Sequence, residues 1–171
     1  RTAGPDTLAW DRAERTLRRT PPAHHPAQRA HTFRAALATQ GTWQTRTLTL
    51  DADLTPWSEH PDALVLDPYE DTWAATIVDP TSLSTLVELL PRTEDAALRA
   101  GVWNSVRTSF HQARATPAQV TDLLVAAIPA EDNDEAIRST VSWALRNVIA
   151  LSEDSVRDES SIHHALSSRV G

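Results

Sequence analysis

Histidines and clustered acids are the side chains in this chain that could hold a metal or move a proton, and their spacing gives three places to look. Glu159 and His163 stand at i and i+4 on an expected terminal helix, with His164 beside them. That spacing can turn two ligands toward one metal. Near a helix end the same pair reads first as a surface hydrogen bond. His24 and His25 adjoin in PPAHHPAQ. Neighbours in an extended chain point apart, and with prolines on both sides the pair reads as a solvated turn. Asp67, Glu70 and Asp71 form an acidic cluster. A calcium loop needs about six oxygens and usually a glycine at its turn. This cluster contains Pro68 and no glycine, so it reads as the turn of a hairpin.

The motif search is otherwise negative. None of the seven histidines is followed by glutamate, so H-E-x-x-H is absent. No G-x-G-x-x-G, P-loop or G-x-S-x-G occurs, and the chain has four glycines in all. Trp10, Trp43, Trp57, Trp73, Trp103 and Trp143 could serve as stacking platforms. Trp73, Trp103 and Trp143 lie near apolar stripes, which predicts core packing instead. No residue of the chain is assigned a catalytic, cofactor-binding or metal-binding role.

The elements that position these residues change character at one point. ALVLDPYEDTWAATIVDPTSLSTLVELL spans Ala63 to Leu90. Strand-like runs at Ala63–Leu66 and Thr72–Val78 flank the acidic turn. Trp73, Ala75 and Ile77 recur with strand periodicity and should share one face. Asp79-Pro80 then supplies a helix cap and a proline for the first helical position. Leu83, Leu86, Val87 and Leu90 follow at i, i+3, i+4 and i+7, an amphipathic helix stripe.

Upstream of this seam the pattern is β. Arg29–Thr39 sets Phe33, Ala35 and Leu37 on one face, and Trp43–Asp51 sets Leu48 and Leu50 on one face. Gly41-Thr42 between them predicts a hairpin turn. Thr7–Trp10 and Arg15–Arg19 are weaker strands. About six short strands predict a small antiparallel sandwich over residues 1–79. Downstream, over residues 80–171, the pattern is helical. Thr93, Thr116 and Asn133 are the expected caps. The stripes they open are Leu98, Val102, Val106, Phe110; then Val120, Leu123, Leu124, Ala127; then Ile137, Val141, Ala144, Leu145, Val148. A last helix is expected over Arg157 to Arg169. The predicted fold is therefore α+β in two parts, a sandwich followed by an antiparallel helical array.

Composition bounds the function classes. A chain of 171 residues can build a core without staples. It has no cysteine, so it carries no disulfide and no thiolate metal site, which suits a reducing, cytoplasmic compartment. No apolar run approaches the roughly 20 residues of a membrane span, so no membrane partner is expected. Residues 1–50 carry eight arginines against Asp6, Asp11 and Glu14, a balance of +5, within a chain of net charge −7. These arginines alternate with apolar residues and lack an aromatic platform, so nucleic acid is not an expected partner. Methionine and lysine are both missing. The first absence reads as a chain processed or cut from a longer one, the second as the codon bias of a GC-rich genome.

At this point a family resemblance can be stated. RTAGPDTL resembles the segment that follows the catalytic domain in bacterial aminopeptidase N, a family of zinc aminopeptidases of the gluzincin type. HHPAQRAHTFRAALATQ, TWQTRTLTLDAD and ALVLDPYEDTWAATIVDPTSLSTL resemble that family's β-sandwich domain, in order. DAALRAGVWNSVRTSFHQA resembles an early helix pair of its C-terminal helical domain. The resemblance runs from Arg1 to about Ser152 and is most specific over Ala63–Asn104. The sequence departs from the pattern at Ala75 and Ile77, where basic residues are expected, and at Asp67, where asparagine is expected. The family's helical domain is also longer than this one. Its zinc motif, downstream glutamate ligand, G-A-M-E-N segment and transition-state tyrosine match nothing here, and Tyr69 stands in the wrong context to be that tyrosine.

The resemblance implies a parent enzyme that removes N-terminal residues from peptides, with zinc in its catalytic domain. In the family the helical domain arches over the active site, and the sandwich holds that cover. This chain would be the sandwich and the first helices of the cover, and its partners would be the catalytic domain of the same polypeptide and the parent's peptide substrates. Ile162, Leu166 and Val170 form a stripe with little chain left to bury it, which predicts a homodimer through the C-terminal helices or fraying beyond about Glu153. Two rivals stand beside this reading. One is a free-standing helical module that binds a peptide or protein; the other is an autonomous enzyme with an unrecognised site.

Overall fold

The computed structural model describes residues 4–24 and 26–151, together with His164 and Ser167. Among them every strand precedes Asp79 and every α-helix follows it. The strands are β1 (Asp6–Asp11), β2 (Thr16–Thr20), β3 (His31–Thr39), β4 (Thr42–Leu50), β5 (Leu54–Pro56), β6 (Ala63–Val65) and β7 (Ala74–Thr76). The helices are α1 (Pro80–Leu89), α2 (Ala96–His111), α3 (Pro117–Ala127) and α4 (Asp134–Asn147). The fold is mixed α+β. One sheet has the order β5-β2-β1-β7 and the other β4-β3-β6; neither closes into a barrel. All pairings are antiparallel except β1 with β7, which is parallel. No helix among the described residues is long and apolar enough to cross a membrane.

The strands follow from alternation. Leu8 and Trp10 of β1 and Leu17 of β2 point inward with Phe33, Ala35 and Leu37 of β3, and together with Leu50, Leu64 and Leu66 they form one buried core. Burying each large aliphatic chain contributes about 1.5–3 kcal/mol. Trp57 closes the open end by packing edge-on against Trp10, 5.3 Å between ring centroids. A second core gathers the helix stripes predicted above and draws in Ala36, Val65 and Val78 from the strands. Apolar packing is thus continuous across the seam at Asp79.

Several expectations are corrected. The β3–β4 turn is Gln40-Gly41, not Gly41-Thr42. Thr39 pairs with Thr42, and both turn residues have positive φ, 50° and 78°, as a two-residue primed turn demands. The acidic segment is not a hairpin turn. β6 and β7 belong to different sheets, so residues 67–71 carry the chain from one sheet to the other. Trp73 is not in the core; it is 57% exposed, while Ile77 is buried. Thr93 does not cap α2. Asp95 does, accepting from the backbone N–H of Ala97 and Leu98. The caps Asp79, Thr116 and Asn133 stand as read, and Thr116 forms a full capping box with Gln119. Leu145 lies outward at 39% exposure, off the buried stripe of Val141, Ala144 and Val148. The helix expected over Arg157 to Arg169 and the stripe Ile162, Leu166 and Val170 fall outside the described residues.

Candidate functional site

The seam brings together residues that are distant in sequence. Asp79 accepts from the N–H of Ser82, at 3.2 Å, and from the Ser82 hydroxyl. Arg12, at the end of β1, donates Nε to Asp79 Oδ2 at 3.1 Å and Nη1 to the Pro61 carbonyl at 2.8 Å, with its guanidinium 4.1 Å above the Trp10 ring. Ser82 Oγ in turn accepts from the Leu64 N–H at 2.8 Å. The N-terminus of α1 is thereby tied to both sheets.

Helix α2 is tied to β7 by its serines. Ser105 Oγ bonds Thr76 Oγ1, and Ser109 Oγ accepts from the Val78 N–H at 2.9 Å. One turn earlier, Gly101 lies directly against the backbone of Pro68. Trp43 of β4 adds a further tie, donating Nε1 to Thr93 Oγ1 at 3.0 Å.

Between the acidic segment, β7 and α2 lies a cleft of about 700 Å³. Its walls are turn residues 67 and 70–72, Trp73, strand residues 74–76, and Gly101, Asn104, Ser105 and Thr108 of α2. The turn is built by its own side chains. Asp67 and Glu70 have positive φ, 46° and 55°. The Asp67 carboxylate accepts from the N–H of Asp71 at 2.7 Å and of Thr72 at 3.3 Å. Burial pushes its pKa up, against the pull of those two bonds. Asp71 is in the opposite state. Arg34 donates Nε and Nη2 to its two oxygens, both at 2.8 Å, and adds its backbone N–H at 2.9 Å. These bonds hold the Asp71 carboxyl down at about 2. The Arg34 guanidinium also lies 4.4 Å from the centre of the Tyr69 ring, and the Tyr69 hydroxyl donates to Asp95 Oδ2 at 2.8 Å. That bond lowers the pKa of Asp95, while burial, then Asp95 itself, raises that of Tyr69.

Behind the cleft runs a chain of polar groups from three strand regions. Asp6 Oδ2 is 2.8 Å from His31 Nε2, and His31 Nδ1 is 2.8 Å from Thr72 Oγ1. An ionised Asp6 can only accept, so in the neutral imidazole the proton sits on Nε2 and Nδ1 accepts from the Thr72 hydroxyl. A carboxylate, an imidazole and a hydroxyl in line is the arrangement by which a base activates a nucleophile. Here the carboxylate is also engaged by Arg29 Nη1 at 3.4 Å and Arg19 Nη1 at 3.7 Å. Those cations already offset its charge, which weakens its support for an imidazolium. The array pins the start of β7 to β1 and β3.

The sequence reading missed Asp6, His31 and Thr72. They are 25 and 41 positions apart and carry no local signature. Of the candidates it weighed, His24 is exposed and His164 is exposed and helical. His25, Glu159 and His163 lie outside the described residues. The acidic cluster does come together, as the wall of the cleft. Among the described residues no three His, Asp or Glu side chains converge in a way that could hold a metal ion. His31 is committed to Asp6 and Thr72, and His111 Nε2 accepts from Trp143 Nε1 at 3.1 Å.

No family model matches the chain, and no curated protein matches it.

Proposed function

We propose that this chain is the non-catalytic C-terminal region of a zinc metallo-aminopeptidase of the aminopeptidase N type. In this reading residues 1–79 are an antiparallel β-sandwich and residues 80–171 the first part of an antiparallel helical array. The array covers, and the sandwich supports, the peptide-binding cleft of a cytoplasmic parent that removes N-terminal residues from peptides. Zinc and its ligands belong to the catalytic domain of the same polypeptide, which is the chain's main partner.

One observation carries the reading. The stretch on which the family resemblance is most specific, Ala63–Asn104, is also the stretch that welds strands to helices. Ser82, Gly101 and Thr76 with Ser105 all lie at or beside this weld. A cover held over an active site must not rock on its support, and a seam bonded in this way supports that reading.

Two measurements test it. The gene should encode H-E-x-x-H upstream of Arg1, in the same reading frame. The isolated chain should bind no stoichiometric zinc after dialysis and should not cleave aminoacyl anilides. One tightly held zinc per chain, or turnover abolished by a chelator, would overturn the proposal.

A further inference from the structure

We infer that the cleft beside β7 is a docking site for an extended, basic peptide segment, which adds to the sheet as a strand next to β7. The inference rests on the geometry of the cleft and is independent of the aminopeptidase reading.

Among the described residues β7 is an edge strand, with β1 as its one neighbour in the sheet. The parallel register, Asp6 with Ala74 and Leu8 with Thr76, and the bond from Ile77 N–H to the Leu8 carbonyl set which backbone groups face β1. Alternation then turns the N–H and C=O of Ala74 and Thr76 the other way, into the cleft. The next outward donor, the N–H of Val78, is already taken by Ser109 Oγ. Sheet pairing is therefore closed by α2 at Val78, while among the described residues no strand pairs with the outer side of Ala74–Thr76, which lines the cleft although Thr76 is 8% exposed and bonded to Ser105. Such an edge recruits an extended chain through main-chain bonds. A cleft of about 700 Å³ has room for a short stretch of peptide.

The lining selects the charge. Asp67, Glu70 and Asp71 contribute carboxylates to the wall, and no lysine, arginine or histidine lines it. Asp71 is offset by Arg34 from outside the lining. Asp67 accepts from backbone amides, and Glu70 accepts from Asn104 Nδ2 at 3.1 Å. Neither carboxylate is in an ion pair among the described residues. A lysine or arginine of the incoming strand would offset Glu70, which is exposed, whereas Asp67 is only 7% exposed. Trp73, exposed beside them, already carries the Arg29 guanidinium 5.1 Å from its ring centre, and the rest of its surface is left for the stem of such a side chain.

The experiment uses the chain as it is and a labelled peptide of sequence Thr-Val-Arg-Val-Thr-Arg, acetylated and amidated, followed by fluorescence anisotropy. Saturable binding is expected, with protection from amide exchange at Ala74 and Thr76. The same peptide N-methylated on alternate amides should bind at least about tenfold more weakly, because it cannot pair with the edge. A peptide with glutamate in place of arginine should not bind. Glu70→Arg should weaken binding about tenfold, with an unchanged unfolding midpoint as the check on folding. No saturable binding of the basic peptide overturns the proposal. Binding that ignores N-methylation also overturns it, since that would mark a surface charge contact with no strand pairing.

Discussion

Gly101 of α2 sits so close to Pro68 that a Cβ on residue 101 would stand 2.5 Å from the Pro68 Cα. Real side chains do not tolerate that distance to backbone. The acidic segment and the helix are therefore held at a separation that glycine alone permits, and the width of the cleft is set there.

This contact makes a prediction whose sign is informative. In a free helix, replacing glycine by alanine gains about 1 kcal/mol. Here Gly101→Ala should lose about 1–3 kcal/mol through overpacking against an unyielding backbone. Urea unfolding reads the difference. A net gain in stability would mean that the helix and the acidic segment separate easily.

Asp79 does more than cap α1, because Arg12 shares its carboxylate. Cap chemistry alone would make Asp79→Asn almost silent, since asparagine accepts the same amide bond. With Arg12 present, Asp79→Asn should cost about 1–2 kcal/mol and Asp79→Ala about 3 kcal/mol. In an Arg12→Gln background the asparagine variant should lose most of its penalty. Equal penalties in both backgrounds would remove Arg12 from the account.

Two carboxylates of one turn should respond to acid in opposite directions. Arg34 depresses the pKa of Asp71 to about 2, so the stability it contributes is complete above the ordinary carboxylate pKa of 3.8 and is lost as the pH falls toward 2. Asp67 is raised by burial, so the folded state takes up its proton more readily than the unfolded state. Its contribution therefore improves as the pH falls through that raised value. Asp71→Asn should weaken the protein at neutral pH, and the deficit should shrink in acid. Asp67→Asn should leave stability at neutral pH equal or higher. Carboxyl carbon NMR should place the Asp67 titration above the usual aspartate range and that of Asp71 below it.

The Asp6–His31–Thr72 array predicts a single histidine tautomer. Nitrogen NMR should find the His31 proton on Nε2. Thr72→Val should cost about 1 kcal/mol and leave that proton in place, because Asp6 sets it. A proton on Nδ1 would reverse the donor order through all three groups.

What could be read from the sequence was local. Thr116 with Pro117 and Gln119 announces a capping box within four residues, and the box is there. The inward alternation of Phe33, Ala35 and Leu37 was likewise legible, because period 2 is a property of one strand. Thr93 shows the limit. The sequence presents it as the cap, followed by two acids, but its hydroxyl accepts from Trp43, fifty residues away. Sheet membership fails for the same reason. Ala63–Val65 and Ala74–Thr76 look like the two arms of a hairpin, and no residue between them records that they enter different sheets. The site inherits this. Its acidic wall was visible as a cluster, but the free edge beside it and the histidine behind it arise from pairing across the chain.

The parallel pairing of β1 with β7 sets an order of events during synthesis. Asp6 leaves the ribosome well before Ala74, with which it pairs, while Val78 and α1 follow Ala74 at once on the same stretch of chain. β1 can pair with β2 as soon as the short turn between them emerges, but its other side must wait until residue 76 is made. Closing so long a loop is slow, and the helices appear just as it closes. Thr76 and Val78 precede Ser105 and Ser109 in the chain, so the strand that completes the sheet is already made when the helix that bonds to it emerges.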